Sequence, residues 1–218
     1  FLVILWITWT MIRNPKAQFL HGSYSVDLAL KNSAMIRDIL KSEVIQEFWP
    51  IKMRDSSDSK GLWLTEQGGG MKSDSTAGAM TGFGAGITSW IDGEPFDGAI
   101  ILDDPLKPDD ARSPTVRQSV SERLSGTVHS RKNHRQVPII IVMQRLHVGD
   151  PSGYALNGEV MGDHFHHLKL SAMQEDKPLW EYKHSLEMLE TMRLHNPEVF
   201  AGQYQQEPFV AQGEVYQR

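Results

Sequence analysis

The sequence predicts an α/β protein built on a mostly parallel sheet, and three observations carry that prediction. Two short apolar runs, Ala99–Leu102 and Ile139–Met143, are of the kind buried on both faces of a parallel sheet. Between them Val116, Val120, Leu124 and Val128 recur at four-residue spacing, the buried stripe of a helix. Strand, helix and strand thus follow one another in a βαβ unit, and an earlier strand, loop and helix unit precedes it.

Taken in order, FLVILWITWTMI is the only strongly apolar run, and it stops at Arg13 after about 12 residues, short of the ~20 needed to cross a bilayer. It reads as a buried core helix or strand. Asn14-Pro15 breaks it, and AQFLHGSYS (Ala17–Ser25) reads as a buried strand running into a loop. From Val26 to Lys41, Leu28, Ala29, Ile36, Ile39 and Leu40 recur at helical spacing. Residues 50–95, rich in Gly, Ser and Asp, predict short strands joined by loops around Trp63, Leu64, Met80 and Phe83.

After the Ala99–Leu102 strand, Ser113-Pro114 marks a helix start, with Ser as cap and Pro at the first helical position. The basic stretch RKNHRQ (Arg131–Gln136) reads as a solvated loop ahead of the second strand. GDPSGYAL is a turn into a helix, HFHHLKLSA (His164–Ala172) a strand, and Ser185–Leu194 a helix. The tail from residue 196 holds a short helical segment, then Pro208 and Gly213, and has the composition of a linker. A formal net charge of −5 argues against a surface that is basic all round, and the lack of cysteine excludes disulfides and thiolate zinc sites.

In α/β sheets ligands gather at the carboxyl ends of strands, and two polar pairs fall there: Asp103-Asp104 and Gln144-Arg145. Two carboxylates directly after a buried strand are what a nucleoside triphosphatase uses to hold hydrated Mg²⁺ and position the attacking water; a strand ending in a solvated Asp-Asp-Pro turn is the plain alternative. Gln144 is suited to hydrogen-bond a γ-phosphate or water, and Arg145 to contact a phosphate or a neighbouring subunit. The stretch GGGMKSDS imitates a phosphate loop, but in G-x-x-x-x-G-K-[ST] the required glycines fall on Glu66 and Met71, so it reads as a flexible loop. His164, His166 and His167 lack further ligands at a recognisable spacing and read as a solvated strand edge. Arg131, Lys132, His134 and Arg135 form the densest basic patch, available to a nucleic-acid backbone or simply solvated.

Several segments resemble the large terminase subunit of tailed bacteriophages, the motor that packages viral DNA. They are NPKAQFLHGSYSVDLALKNSAMIRDILKSE, TGFGAGI, FDGAIILDDPLKPDDARSPTVRQSVSERLSGTVHSRKN, IIIVMQRLHVGDPSGYAL and NPEVFAGQYQQEP, in the family's order over most of the chain. The resemblance implies a three-layer P-loop NTPase-like core of the additional-strand type over residues 1–195, followed by a linker over 196–218 towards a nuclease domain. It implies ATP and Mg²⁺ as cofactors, with Asp103 as the metal-coordinating Walker B residue and Asp104 as the catalytic carboxylate. Many relatives carry Glu at that second position, about one methylene longer. Gln144 and Arg145 match the motif that couples hydrolysis to movement.

The resemblance further implies double-stranded DNA, a portal protein and a small terminase subunit as partners, a homo-oligomeric ring, and work at the procapsid portal in the host cytoplasm, away from any membrane. Arg112, Arg117, Arg123 and Arg145 are the candidates for a residue acting across subunits. The Walker A lysine is expected ahead of Phe1 and the nuclease acids beyond Arg218, so the 218 residues alone are expected to lack appreciable ATPase activity. Two other classes compete: a non-catalytic module of the same fold acting through protein contacts, and a metal-dependent nuclease centre drawing on Asp109, Asp110 and Asp150.

Overall fold

A computed structural model describes residues 2–78, 80 and 82–209; the end of the expected linker, with Gly213, lies outside the described residues, as does Thr81 of TGFGAGI. The chain divides into two compact units, one comprising Phe1–Pro105 with Glu122–Val142, the other Leu106–Ser121 with Met143–Arg218, over their described residues.

The first unit is α/β, with a six-stranded, mostly parallel sheet and helices packed against it. Helix α1 (Leu2–Arg13) turns at Asn14 into strand β1 (Gln18–Ser23), followed by α2 (Val26–Leu40) and the short α3 (Glu43–Phe48). Strands β2 (Met53–Asp58), β3 (Leu62–Thr65) and β4 (Gly70–Ser75) come next, then β5 (Ile100–Asp103) and β6 (Ile139–Val142). The spatial order is β2-β3-β4-β1-β5-β6; β4, β1, β5 and β6 run parallel, and β2 and β3 add an antiparallel wing.

The apolar first run is a helix because its buried residues fall at helical spacing: Val3, Ile4, Ile7 and Met11 face the core, while Leu5 and Trp9 are more than half exposed. They meet Ile36 and Leu40 of α2 and Phe19, Met71 and Ile101 of the strands in one cluster, so α1 and α2 share a face of the sheet. Each fully buried large side chain there contributes roughly 1.5–3 kcal/mol. Trp63, also in the cluster and fully buried, satisfies its indole N–H on Ser33 Oγ of α2 at 3.0 Å.

The direction of α1 follows from its exit. Asn14 Nδ2 donates to Phe96 O at 3.2 Å and Gln18 N to Asp97 O at 2.8 Å, which fixes the carboxyl end of α1 at the amino edge of β5. A helix of 12 residues spans ~18 Å, about the length of a six-residue strand, so the amino end of α1 reaches the carboxyl edge of the sheet.

Three elements differ from expectation. Residues 70–73 of GGGMKS open β4, an interior strand between β3 and β1, and Gly68 and Gly69 lead into it. Its glycines admit neighbouring backbone: at Gly70, with φ +154°, a Cβ would lie 2.2 Å from Trp63 O. HFHHLKLSA forms no strand; residues 164–171 are irregular and mostly exposed, pairing with no strand among the described residues. β6 is half-buried along its length rather than fully buried, for it pairs with β5 on one side only among the described residues.

In the second unit, α4 (Pro114–Arg123) starts as expected, with Val116 N donating to Ser113 Oγ at 3.4 Å. Of the predicted stripe, Val116 and Val120 are half-buried; α4 runs past Ser121 into the first unit, where the π-helical turn Leu124–Val128 buries both of its ends. α5 (Pro151–Leu156) is capped by Asp150, and α6 (Leu186–His195) by Ser185, whose hydroxyl accepts from Met188 N. A two-stranded ribbon of β7 (Met173–Gln174) and β8 (Lys177–Pro178) and the short α7 (Pro197–Val199) complete the unit. Met173, Leu189 and Phe200 form its small core. Among the described residues no helix is long and apolar enough to cross a membrane.

Candidate functional site

The acidic pair sits at the carboxyl end of β5. Ile100, Ile101 and Leu102 are buried and lock the strand between β1 and β6, so Asp103, in register with Val142, is held by a rigid element. Gly98 lets β5 begin there: with φ +135°, a Cβ would lie 1.9 Å from Gln18 O of β1. Asp104 then leaves the strand in the left-handed conformation, φ +46°, a region that short polar side chains tolerate better than most. Its backbone is pinned on both sides, the N–H donating to Val142 O at 2.8 Å and the carbonyl accepting from Tyr24 N at 2.9 Å.

Asp103 Oδ2 accepts from Asn32 Nδ2 at 2.9 Å. Asn32 is aimed by the inner face of α2, where Ala29, Ser33 and Ile36 are fully buried and Ser33 holds Trp63. Burial pushes the Asp103 carboxyl above the usual carboxylate range, with the Asn32 hydrogen bond pulling the other way. Asp104 is pushed up by burial and then by the neighbouring Asp103 charge. Among the described residues no lysine or arginine forms an ion pair with either carboxylate. Two adjacent, partly desolvated anions, one of them oriented by a neutral amide, are a donor set that suits a hard divalent cation.

The neighbouring strand adds polar groups that the sequence reading passed over. β1 registers Leu20, His21 and Gly22 with Ile100, Ile101 and Leu102. One further step brings Ser23 beside Asp103 on the face that also carries Phe19 and His21. Ser23 is fully buried and its hydroxyl has no hydrogen-bond partner. His21, also fully buried, has Nδ1 3.4 Å from Ser73 Oγ and an unpartnered Nε2, and burial pushes its pKa down to about 4. The available signal was the alternation Phe19, His21, Ser23, which turns polar halfway along a strand read as buried.

Gln144 and Arg145 follow β6 after Met143 and belong to the second unit. Arg145 is committed within that unit. Its Nε lies 3.0 Å from both Asp150 oxygens and its side chain is largely buried. Asp150, fully buried, also accepts from the backbone N–H groups of Leu146, His147 and Gly153. It is therefore the anchor of a loop, the turn role expected for it, and is occupied as a ligand. Asp109 and Asp110 lie in an exposed single 3₁₀ turn. Of the other arginines, Arg117 donates to Ala111 O at 2.6 Å, Arg123 to Thr76 O at 3.4 Å, and Arg112 is highly exposed, 4.0 Å from Glu198. Gln144 is half-buried.

The basic stretch is less of a solvated loop than expected. His134 Nε2 lies 2.9 Å from Asp97 Oδ2 and its ring stacks on Trp90 at 4.7 Å, while Asn133 Nδ2 donates to Gly86 O at 2.7 Å. Both residues tie the segment before β6 to the one before β5. The rings of His164 and His166 meet edge to face at 5.6 Å on an exposed stretch.

Fold and site together define an α/β chain compatible with a Rossmann or P-loop-like arrangement, with an acidic pair at the carboxyl edge of its parallel strands. Comparison with known protein families and with curated proteins finds no match for the chain.

Proposed function

We propose that this chain is the ATPase core of a viral DNA-packaging motor, of the large terminase subunit type that its motifs resemble, coupling ATP hydrolysis to translocation of double-stranded DNA into a procapsid. The observation that carries the proposal is the carboxyl edge of the sheet, where Asp103 and Asp104 end β5 and the amino end of α1 reaches the same edge. A helix amino terminus offers unpaired N–H groups and the positive end of its dipole to phosphates, and an acidic pair offers a seat for the accompanying cation.

On this reading Asp103, oriented by Asn32, holds Mg²⁺. Bound there, the ion would supply charge neutralisation to the triphosphate. Asp104, raised by burial and by Asp103, orients the attacking water through its carboxylate. Arg145 serves the coupling motif by holding the loop from Leu146 to Asp150 in shape, not by reaching out as a free cation. Gln144 takes the polar role at the start of that loop. Double-stranded DNA, a portal protein, a small terminase subunit and further copies of the chain in a ring are the partners, in the host cytoplasm at the procapsid portal.

GGGMKS, which runs into an interior strand from Gly70, is not the phosphate cradle. The coding sequence ahead of Phe1 is the first test: G-x-x-x-x-G-K-[ST] or a close variant is expected, directly before α1. The second is ATP hydrolysis by the whole gene product. Asp103→Ala is expected to abolish it, and hydrolysis undiminished in that variant would refute the assignment.

A further inference from the structure

We infer that Ser23 and Asn32 are the neutral partners of a hydrated divalent cation at Asp103, Asn32 orienting the carboxylate and the Ser23 hydroxyl taking its missing hydrogen bond from the cation's water shell. The inference rests on the proposed role of Asp103 as a cation holder and deepens it.

Two independent observations lead to it. The first is the partner chosen for Asp103. A buried carboxylate with a purely structural duty is ordinarily paired with a cationic side chain, as Asp150 is with Arg145. Asp103, half-buried at the strand end, is met among side chains by an amide at 2.9 Å, with the amino-terminal charge also acting on it. An amide fixes the orientation of the carboxylate and leaves its charge available, the requirement of a group that must attract a metal ion. The second is Ser23. Buried hydroxyls are almost always hydrogen-bonded, and one that is not needs an explanation. Ser23 is fully buried, unpartnered, and next in register to Asp103 on the same face of the sheet. A water held by a cation on Asp103 supplies the absent partner, because such a water donates through its O–H groups and the Ser23 hydroxyl oxygen can accept.

The two side chains reach the carboxylate from different elements, Asn32 from α2 and Ser23 from β1, so each can be removed without disturbing the other. Ser23→Ala deletes a group that makes no bond in the cation-free fold. It is therefore expected to leave the thermal midpoint of the metal-free chain unchanged or raised, whereas a structural hydroxyl would lower it.

The test uses Mn²⁺ alone, titrated into the 218-residue chain with free Mn²⁺ followed by electron paramagnetic resonance. The expected result is one site that Asp103→Asn removes and that Ser23→Ala and Asn32→Ala each weaken about tenfold, the lower end of the usual effect of outer-shell partners. If Asp103→Asn removes the site while Ser23→Ala and Asn32→Ala bind as tightly as the parent chain, the inference is overturned and the assignment of Asp103 stands. Binding that Asp103→Asn leaves intact overturns both. A lowered metal-free midpoint in Ser23→Ala overturns the role given to Ser23.

Discussion

Acidification should destabilise the first unit through His21. The imidazole is fully buried in β1, with one nitrogen near Ser73 and the other unpartnered, and burial pushes its pKa from 6.5 to about 4. A group whose folded pKa is lowered contributes stability that is fully present above its unfolded pKa and is lost as pH falls towards the folded value. The window is therefore pH 6.5 down to about 4. Applying the linkage relation to those two values, the contribution lost between pH 7 and pH 5 is about 2 kcal/mol. Denaturant unfolding at a series of pH values would measure it, with His21→Leu as the comparison. The parent chain should lose about 2 kcal/mol more than the variant over that interval, since the other histidines titrate in both. Equal pH slopes for the two proteins would refute the claim that His21 is kept neutral by the fold.

Further outcomes follow from the same contacts. Asp150→Asn or Arg145→Ala leaves one member of a buried ion pair uncompensated, and each should cost about 3–5 kcal/mol in denaturant unfolding. Asp104→Asn should stabilise the metal-free chain at neutral pH: a folded carboxyl pKa above the ordinary value means stability is lost as pH rises through it, so the gain in thermal midpoint should vanish below the carboxylate range. Trp63→Phe strips Ser33 of its buried indole donor and should cost about 1–3 kcal/mol by urea titration.

Where the fold was legible, one local signal sufficed. α2 showed itself by the spacing of Ala29, Ile36 and Leu40, all fully buried, and β5 by its run of Ile100, Ile101 and Leu102 ending at the acidic pair. α1 was ambiguous because a short apolar run suits either a helix or a strand, and only packing against Phe19, Met71 and Ile101 decides it. GGGMKS misled because glycine and serine look like loop residues, yet here glycine gives strands room for close approach and Met71 fills the core. HFHHLKLSA misled in the other direction, its scattered apolar residues finding no sheet to join.

The candidate site was half legible. Asp103 and Asp104 stood out because adjacent acids after a buried strand have a chemical reason. Asn32 and Ser23 did not, because their significance comes from a helix aimed at a strand end and from a strand register, neither of which is local in sequence. Arg145 was legible as a functional candidate but not in its commitment to Asp150, five residues on, since a cation reads as free until its partner is placed.

The central claim is that Asp103 seats the divalent cation of a nucleotide-hydrolysing site. Anomalous diffraction from crystals of the chain grown with Mn²⁺ addresses it directly. A peak is expected about 2 Å from an Asp103 oxygen, or about 4 Å if a water intervenes, with Ser23 lining the water. Manganese bound only elsewhere, for instance at His164 and His166, with none at Asp103, would contradict it.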